Sequence, residues 1–366
     1  MAVERLVETL TRRIGPHTHT WFPDQPHSGF EVKVLADRPT CALLTVHLDG
    51  RRTPAALAKL RRDSTGGPPG VTRPRLRKEA ASADELTLLE WTGLEAIHDA
   101  CAGVQGLGAV RPLLLAREDA ALVMSFVEAP TLRSVILGLS RLRPGQGRYD
   151  EAVTGCALAG RWLRVFQHAA IPGATGSPDS ERPVRQGTRA EVVEQLRAYG
   201  DFLGSPAWRR LATRGMELAG DVLPAELPVA VGHGDFAPRN VLLRHGRLTV
   251  VDPLPRWRVP VYDDLCRFLV GIRLIGEQVH THGLALGSDT LDALEEAAVA
   301  AYLAADSERA SLRAYQLLIL MDKWTAMLDS PRRGVRGTMV RRSAALADHG
   351  VRREAERLLD LAVTDR

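Results

Sequence analysis

The chain has 366 residues, of which 45% are hydrophobic and 25% are charged. These proportions are ordinary for a globular protein that buries its own core, and they argue against a low-complexity class. The net charge is only +4, and no basic-aromatic motif accompanies it, so we do not expect a nucleic-acid partner. No stretch approaches 18 consecutive apolar residues, and residues 1–14 include acidic side chains. We therefore expect neither a membrane span nor a signal peptide.

Cysteine usage indicates the compartment. The four cysteines are far apart in the chain and form no CxxC pair: Cys41, Cys101, Cys156 and Cys266. This pattern is typical of reduced, buried thiols rather than of disulfides or metal ligands. We therefore expect a cytoplasmic protein, whose oligomeric state the sequence leaves open.

The N-terminal segment 1–27 is predicted to be a helix followed by a connecting loop. Apolar residues at Val3, Leu6, Val7 and Leu10 have helical spacing, and Gly15-Pro16 ends the pattern. The three histidines in the following loop have no acidic or cysteine cluster nearby, so a metal site is not the favoured interpretation.

A small antiparallel sheet with one helix is predicted next. From Phe30 the apolar period changes to two, which predicts three strands in FEVKVLADR, CALLTVHLDG and TPAALAKLRR, with Asp49-Gly50 as a hairpin turn. A Gly/Pro-rich loop at 61–78 precedes a helix at 80–100, and two further strands are predicted at 110–115 and 121–126.

The remainder of the chain is predicted to be mostly helical. Its apolar spacing indicates helices at 132–142, 152–169, 189–203, 207–218, 261–282, 289–305, 309–329 and 337–363.

The exception is the stretch VGHGDFAPRNVLLRHGRLTVVD, which ends at Asp252. It predicts a strand, a loop and a hairpin with a His245-Gly246 turn. Asp235, Asn240 and Asp252 would then gather at loop ends around this hairpin. Two carboxylates and a carboxamide suit phosphoryl transfer, in which one carboxylate accepts a hydroxyl proton and the other groups hold Mg²⁺.

The H-G-D-x-x-x-x-N spacing followed by a strand-end aspartate resembles the aminoglycoside phosphotransferase and choline kinase-like family, which shares the protein-kinase fold. The resemblance implies a bilobal α+β protein. Its N-lobe, residues 28–128, would contain the small antiparallel sheet, one main helix and the hinge. Its mostly helical C-lobe, residues 129–366, would contain the catalytic loop, the metal site and the acceptor-binding helices.

The resemblance also assigns roles in the C-lobe. Asp235 is the catalytic base, while Asn240 and Asp252 bind Mg²⁺. Arg239 is a catalytic candidate that contacts the γ-phosphate or the substrate, although it can equally point outwards. Two residues give structural support: His233, for which a general-base role is the rival interpretation, and Asp264, for which Asp263 is the alternative register.

In the N-lobe the resemblance assigns ATP binding. Lys59 would reach the α- and β-phosphates, although a lysine in an apolar strand can also snorkel to the surface. Its partner is expected to be Glu85, with Glu79 and Glu90 as alternatives. The hinge, Ser125 to Glu128, would meet adenine chiefly through its backbone, at Ser125, Phe126 and Val127. The turn 37–40 departs from the kinase pattern because it contains no glycine.

The expected function is ATP- and Mg²⁺-dependent phosphorylation of a hydroxyl group on a small molecule such as a sugar, an amino alcohol or an antibiotic-like acceptor. The basic run Arg256-Trp257-Arg258 disfavours a polycationic acceptor. The alternative is a catalytically inactive, kinase-like nucleotide-binding protein that acts through a protein partner. The intact Asp235, Asn240 and Asp252 argue against that alternative.

Overall fold

The computed structural model describes residues 3–63, 81–142, 148–172, 182–275, 278, 285–329 and 335–366. Glu79, most of the predicted loop 61–78 and parts of the predicted loops 143–150 and 171–188 lie outside this part of the chain. None of the described helices combines the length and the apolar composition that a bilayer crossing requires.

The small lobe is built on a five-stranded antiparallel sheet in the order β1-β2-β3-β6-β5. Its strands are β1 Phe30–Asp37, β2 Cys41–Leu48, β3 Ala56–Arg61, β5 Pro112–Ala116 and β6 Ala121–Ser125, and the short strand β4 Leu107–Ala109 lies in another sheet. Burial alternates along the first halves of β1 and β2, whereas most side chains of β3 and β6 are buried. The loop between β2 and β3 is longer than a tight hairpin, although Asp49 and Gly50 both have positive φ.

One face of this sheet is covered by the N-terminal helix α1, Val3–Ile14, which is followed by the short helix α2, Thr18–Trp21. Leu6, Leu10 and Ile14 are buried in the same apolar cluster as β2 and β3 residues. The segment 1–27 therefore shares the core of the small lobe.

Helix α3, Ala83–Ala100, contacts β3, β5 and β6. The Ser82 side chain accepts the Glu85 backbone N–H at its start, which satisfies one of the unpaired amides of the first turn. Leu89, Leu94 and Ile97 are fully buried on its inner face.

The large lobe is mostly helical. Its helices are α4 Leu132–Leu137, α5 Tyr149–His168, α6 Arg189–Leu203, α7 Pro206–Val222, α8 Tyr262–Arg273, α9 Ser288–Tyr302, α10 Arg309–Asp329 and α11 Val335–Thr364. They pack around one large apolar core. Helix α4 is shorter than the apolar spacing predicts because Gly138 follows it, and α8 ends at Arg273, before the predicted end at 282.

Two small sheets lie in the large lobe beside the cleft. Strand β7, Val229–Val231, pairs with β10, Arg258–Pro260, and strands β8, Val241–Arg244, and β9, Arg247–Val250, form a hairpin. Strand β4 pairs in parallel with β9, which extends the hairpin to three strands. The bilobal α+β architecture predicted from the sequence is confirmed, but β4 and β10 were not predicted.

Candidate active site

The β8–β9 hairpin positions the predicted catalytic groups. Its two-residue turn, His245-Gly246, has φ of 50° and 71°, which is the left-handed conformation of the tight hairpin that the sequence predicts. Asn240 directly precedes β8, and Asp252 follows β9 after one residue. The Val251 N–H donates to the Asn240 carbonyl at 2.9 Å, so these two segments are held side by side.

Asp264, at the start of α8, binds the backbone of the catalytic loop. It is fully buried, and its two carboxylate oxygens accept the N–H groups of His233 at 2.5 Å and Gly234 at 3.3 Å. Asp263 instead contacts Arg267, with 2.8 Å between Oδ2 and Nε. The structure therefore places Asp264, and not its neighbour, against the catalytic loop.

His233 lies inside the core. Its ring is fully buried and lies within 6 Å, centroid to centroid, of Trp162, Phe166 and Phe236. Its Nδ1 faces the backbone N–H of Asp235 at 3.3 Å. The ring is thus turned away from the cleft, which supports a structural role and disfavours the general-base interpretation.

Gly234 satisfies two constraints at once. Its φ is +91°, a region that L side chains rarely adopt, and a Cβ built there would lie 2.6 Å from the Leu254 carbonyl oxygen. A hydrogen bond joins the same two backbone segments: the Leu254 N–H donates to the His233 carbonyl at 2.7 Å. The HGD segment therefore needs glycine at its centre to lie against the chain that follows Asp252.

Substituting Gly234 with alanine is expected to lower the free energy of unfolding by about 3 kcal/mol, because a strained φ and a backbone clash add together. Gly246→Ala is the matched control: its φ is +71°, but nothing lies within 4 Å of the added Cβ. It should cost only about 1 kcal/mol. Urea denaturation of the two variants measures the difference, and equal losses would contradict the close packing of Gly234 on Leu254.

Asp235, Arg239 and Asn240 form one cluster on the catalytic loop. The Asn240 Nδ2 donates to the backbone oxygen and to Oδ2 of Asp235, both at 2.9 Å. The Arg239 Nη2 donates to both carboxylate oxygens, at 2.5 and 2.6 Å. The Asp235 side chain is still 36% exposed, so an incoming group can reach it.

Lys59 connects the two lobes. Its Nζ lies 2.8 Å from Asp252 Oδ1 and 3.0 Å from Glu90 Oε2. Arg61, on the same strand, also contacts Glu90, at 2.5 Å. The side chain of Lys59 is 9% exposed, so it is directed into the cleft and does not snorkel outward.

The expected pairing of Lys59 with Glu85 is wrong. Glu90 is the partner, and it is fully buried, whereas the Glu85 carboxylate is 40% exposed and lies 3.8 Å from Arg256. At 3.6 residues per turn, positions five residues apart on a helix point about 140° away from each other. Only one of these two glutamates can therefore face β3.

Charges around Lys59 set its protonation. Burial alone would lower the pKa of Lys59, but the Glu90 and Asp252 carboxylates outweigh it and hold that pKa above its usual value. For Asp252 burial acts to raise the pKa, and the Lys59 ammonium reverses the direction, so the pKa of this carboxyl lies below its usual range. Both groups are therefore charged at neutral pH.

The backbone groups of the three hinge residues are not equally available to a ligand. Ser125 is already engaged: its N–H donates to the Arg111 carbonyl and its Oγ accepts the Arg111 N–H, both at 2.9 Å. The Phe126 N–H donates to Ala55 at 3.1 Å. Within the described residues no hydrogen bond to the Val127 backbone is found, so its N–H and carbonyl remain available for a ligand.

The basic residues Arg256 and Arg258 lie on different local elements. The Arg256 guanidinium lies 4.8 Å from the Trp257 ring centroid and near Glu85, so it points toward α3. Arg258 lies in β10. The basic run 256–258 is therefore tied to neighbouring elements and is a weak argument about acceptor charge.

Sequence reasoning missed Lys323. It lies on α10 and interacts electrostatically with both Asp235 and Arg239. The available signal was a lysine within the largely apolar run LLILMDKWTAML, a position that usually requires a reason.

The donor set suits a hard divalent cation. The two hydrogen bonds of the Asn240 amide group direct its NH₂ toward Asp235, which leaves the amide oxygen for another ligand. Asp252 contributes a carboxylate on the adjacent segment. One carboxamide oxygen and one carboxylate leave several positions for water and phosphate oxygens, as Mg²⁺ prefers.

Known proteins were compared with the chain. A model of the phosphotransferase enzyme family, APH, matches residues 50–253, more than half of the chain. No match is found among curated proteins.

Solved structures of kinases have a similar fold. A choline/ethanolamine kinase family protein from Mesorhizobium loti has 14% identity and a TM-score of 0.52, over 95% of this chain and 99% of that one. Spectinomycin phosphotransferase APH(9)-Ia, solved with ADP and spectinomycin, has 13% identity and a TM-score of 0.53, over 97% and 98%. Together with the cleft described above, the family match leads to one conclusion: the chain belongs to the phosphotransferase enzyme family and is a small-molecule phosphotransferase with a kinase-like fold.

Proposed function

We propose that the protein transfers the γ-phosphoryl group of ATP, in the presence of Mg²⁺, to a hydroxyl group of a small molecule. The observation that carries this proposal is the convergence of Lys59, Asp252 and the Asp235–Asn240 pair on one cleft between the lobes. Phosphoryl transfer depends on positioning and charge stabilisation more than on covalent chemistry. These groups supply both.

Nucleotide binding is assigned to the small lobe, residues 28–128. The free backbone groups of Val127 are the proposed contact for adenine, beside Ser125 and Phe126. Lys59 is the proposed ligand of the α- and β-phosphates. Its present bond to Asp252 would be exchanged for phosphate oxygens, while Glu90 keeps the ammonium in place.

Asn240 and Asp252 would hold Mg²⁺, which would supply charge neutralisation at the phosphate oxygens. Asp235 orients the acceptor hydroxyl and takes its proton late in the reaction, since a carboxylate is a much weaker base than an alkoxide. The Asn240 amide fixes the direction of the Asp235 carboxylate. Arg239 also donates to that carboxylate, and its proposed catalytic contact is with the transferred group.

The acceptor is assigned to the large lobe, residues 129–366, on the side of Asp235. The solved structures named above are a choline/ethanolamine kinase family protein and a spectinomycin phosphotransferase, so fold alone does not select one acceptor. The intact set of polar groups in the cleft favours turnover over a purely binding role.

The proposal is tested by measuring ATP consumption and phosphorylated product across a panel of sugars, amino alcohols and antibiotics, with Mg²⁺ varied. For the best acceptor, Asp252→Asn is expected to reduce kcat by about 10²-fold or more and to raise the Mg²⁺ concentration needed for half-maximal rate, because one of two protein ligands is lost. Asp289→Asn, an exposed aspartate of α9, is the control and should behave as wild type. ATP binding with no turnover of any acceptor would argue for the inactive, partner-binding alternative.

A further inference from the structure

Lys323 is an unusual residue for its position. It lies on α10 between Asp322 and Trp324, on a helix whose other side chains in this region are mostly buried and apolar. The lysine itself is only partly exposed. Lysine is among the residues least often buried without a partner, since its ammonium loses hydration there.

No partner offsets that loss within the described part of the chain. No hydrogen bond or ion pair to Lys323 is found there, although two carboxylates are nearby. Both of these are already engaged. Asp322 accepts the Tyr199 hydroxyl at 2.7 Å and contacts Arg267 at 3.2 Å, and Asp235 is held by Arg239 and Asn240.

The charges that face Lys323 come from three elements. Arg267 of α8 and Arg239 of the catalytic loop repel its ammonium, while Asp235 of that loop and Asp322 of α10 attract it. Burial is the largest effect, and it lowers the pKa of Lys323 to about 8. At neutral pH the side chain is still mainly cationic.

We propose that Lys323 binds an anionic oxygen group, a carboxylate or a phosphate, on the acceptor molecule. This inference rests on the proposed function, because an acceptor hydroxyl at Asp235 brings the rest of the acceptor alongside Lys323. A partly desolvated ammonium with no internal partner is costly to the fold but binds an anion strongly. The same ammonium repels a cationic acceptor, so the site selects against polyamines.

The test compares acceptors that differ only in charge. Hydroxy acids and sugar phosphates are each paired with a neutral counterpart, for example glycerate with glycerol and glucose 6-phosphate with glucose, and an amino sugar supplies the cationic case. The expected result is a higher kcat/KM for the anionic member of at least one pair. A preference in the hydroxy-acid pair identifies a carboxylate as the bound group, and a preference in the sugar-phosphate pair identifies a phosphate.

Three variants assign the preference to this residue. Lys323→Met is expected to raise KM for the anionic acceptor at least tenfold more than it raises KM for the neutral counterpart. Lys323→Arg should retain much of the preference. Arg210→Met, which removes an exposed cation from α7, should change nothing.

Stability measurements test whether Lys323→Met is folded. The pKa of Lys323 is about 8 in the folded protein, against an ordinary value of 10.5. The charged lysine therefore lowers the free energy of unfolding by its full amount below pH 8, and by nothing above about pH 10.5. The variant should therefore melt above wild type at pH 7, and the difference should vanish as the pH rises through this window.

Several outcomes would overturn the proposal. They are a preference for neutral or cationic acceptors, an equal loss for all acceptors in Lys323→Met, or ATP hydrolysis with no transfer to any anionic compound. Each leaves the nucleotide chemistry intact. Absence of ATP binding and hydrolysis in wild type would instead overturn the proposed function itself.

Discussion

Replacing Asp235 with asparagine is expected to reduce kcat for phosphoryl transfer by roughly 10²- to 10⁴-fold, the usual contribution of a positioned general base. The amide is nearly isosteric, so the loop can keep its shape while the side chain loses its charge and its ability to accept the hydroxyl proton. Nucleotide affinity should change little, because the proposed ATP contacts, Lys59 and Val127, lie on the small lobe. Initial rates and nucleotide titration measure the two effects separately.

The control is Asp201→Asn, which makes the same chemical change on an exposed residue of α6. It is expected to retain full activity and stability. If Asp235→Asn kept wild-type activity with a matched acceptor, Asp235 would not be the base. If it lost nucleotide binding as well, the catalytic loop would be contributing to the nucleotide site instead.

The second large effect is expected at Glu90. Glu90→Gln removes the carboxylate shared by the buried Lys59 and the partly buried Arg61. Breaking a buried ion pair at one partner costs about 3–5 kcal/mol of unfolding free energy. The free Lys59 ammonium should also turn further toward Asp252, which we expect to raise KM for ATP about tenfold or more. Urea denaturation and steady-state kinetics measure both quantities.

Glu85→Gln makes the same substitution five positions earlier on the same helix. Because the Glu85 side chain is 40% exposed and its Arg256 contact is 3.8 Å, the expected change in stability is within about 0.5 kcal/mol. KM for ATP should not change. Similar effects of the two variants would reject Glu90 as the partner that orients Lys59.

These two glutamates also illustrate what sequence can and cannot predict. The period of two in residues 30–61 and the His245-Gly246 turn are local signals, and the structure confirms the strands and the hairpin. The partner of Lys59 depends on which side of α3 faces β3. Tertiary packing sets that rotation, and the positions of the glutamates in the sequence do not show which of them faces β3.

Lys323 was missed for a similar reason. It is distant in sequence from Asp235, and the two meet only because α10 packs against α8, whose Asp264 binds the catalytic loop. Strands β4 and β10 were missed because three-residue strands give too short a pattern to detect. In contrast, the HGD motif was informative because its chemistry and its spacing are local.

Strand β4 has a mechanical consequence. It is the next element after α3, the helix that carries Glu90, and its parallel pairing with β9 joins that part of the chain to the strand that leads into Asp252. The partners of Lys59 on both sides are thus attached to one rigid frame. Because α3 also packs against β3, β5 and β6, an opening motion of the cleft would have to disturb either that packing or the pairing of β4 with β9. The separation between Lys59 and its two carboxylates is therefore constrained by both lobes at once.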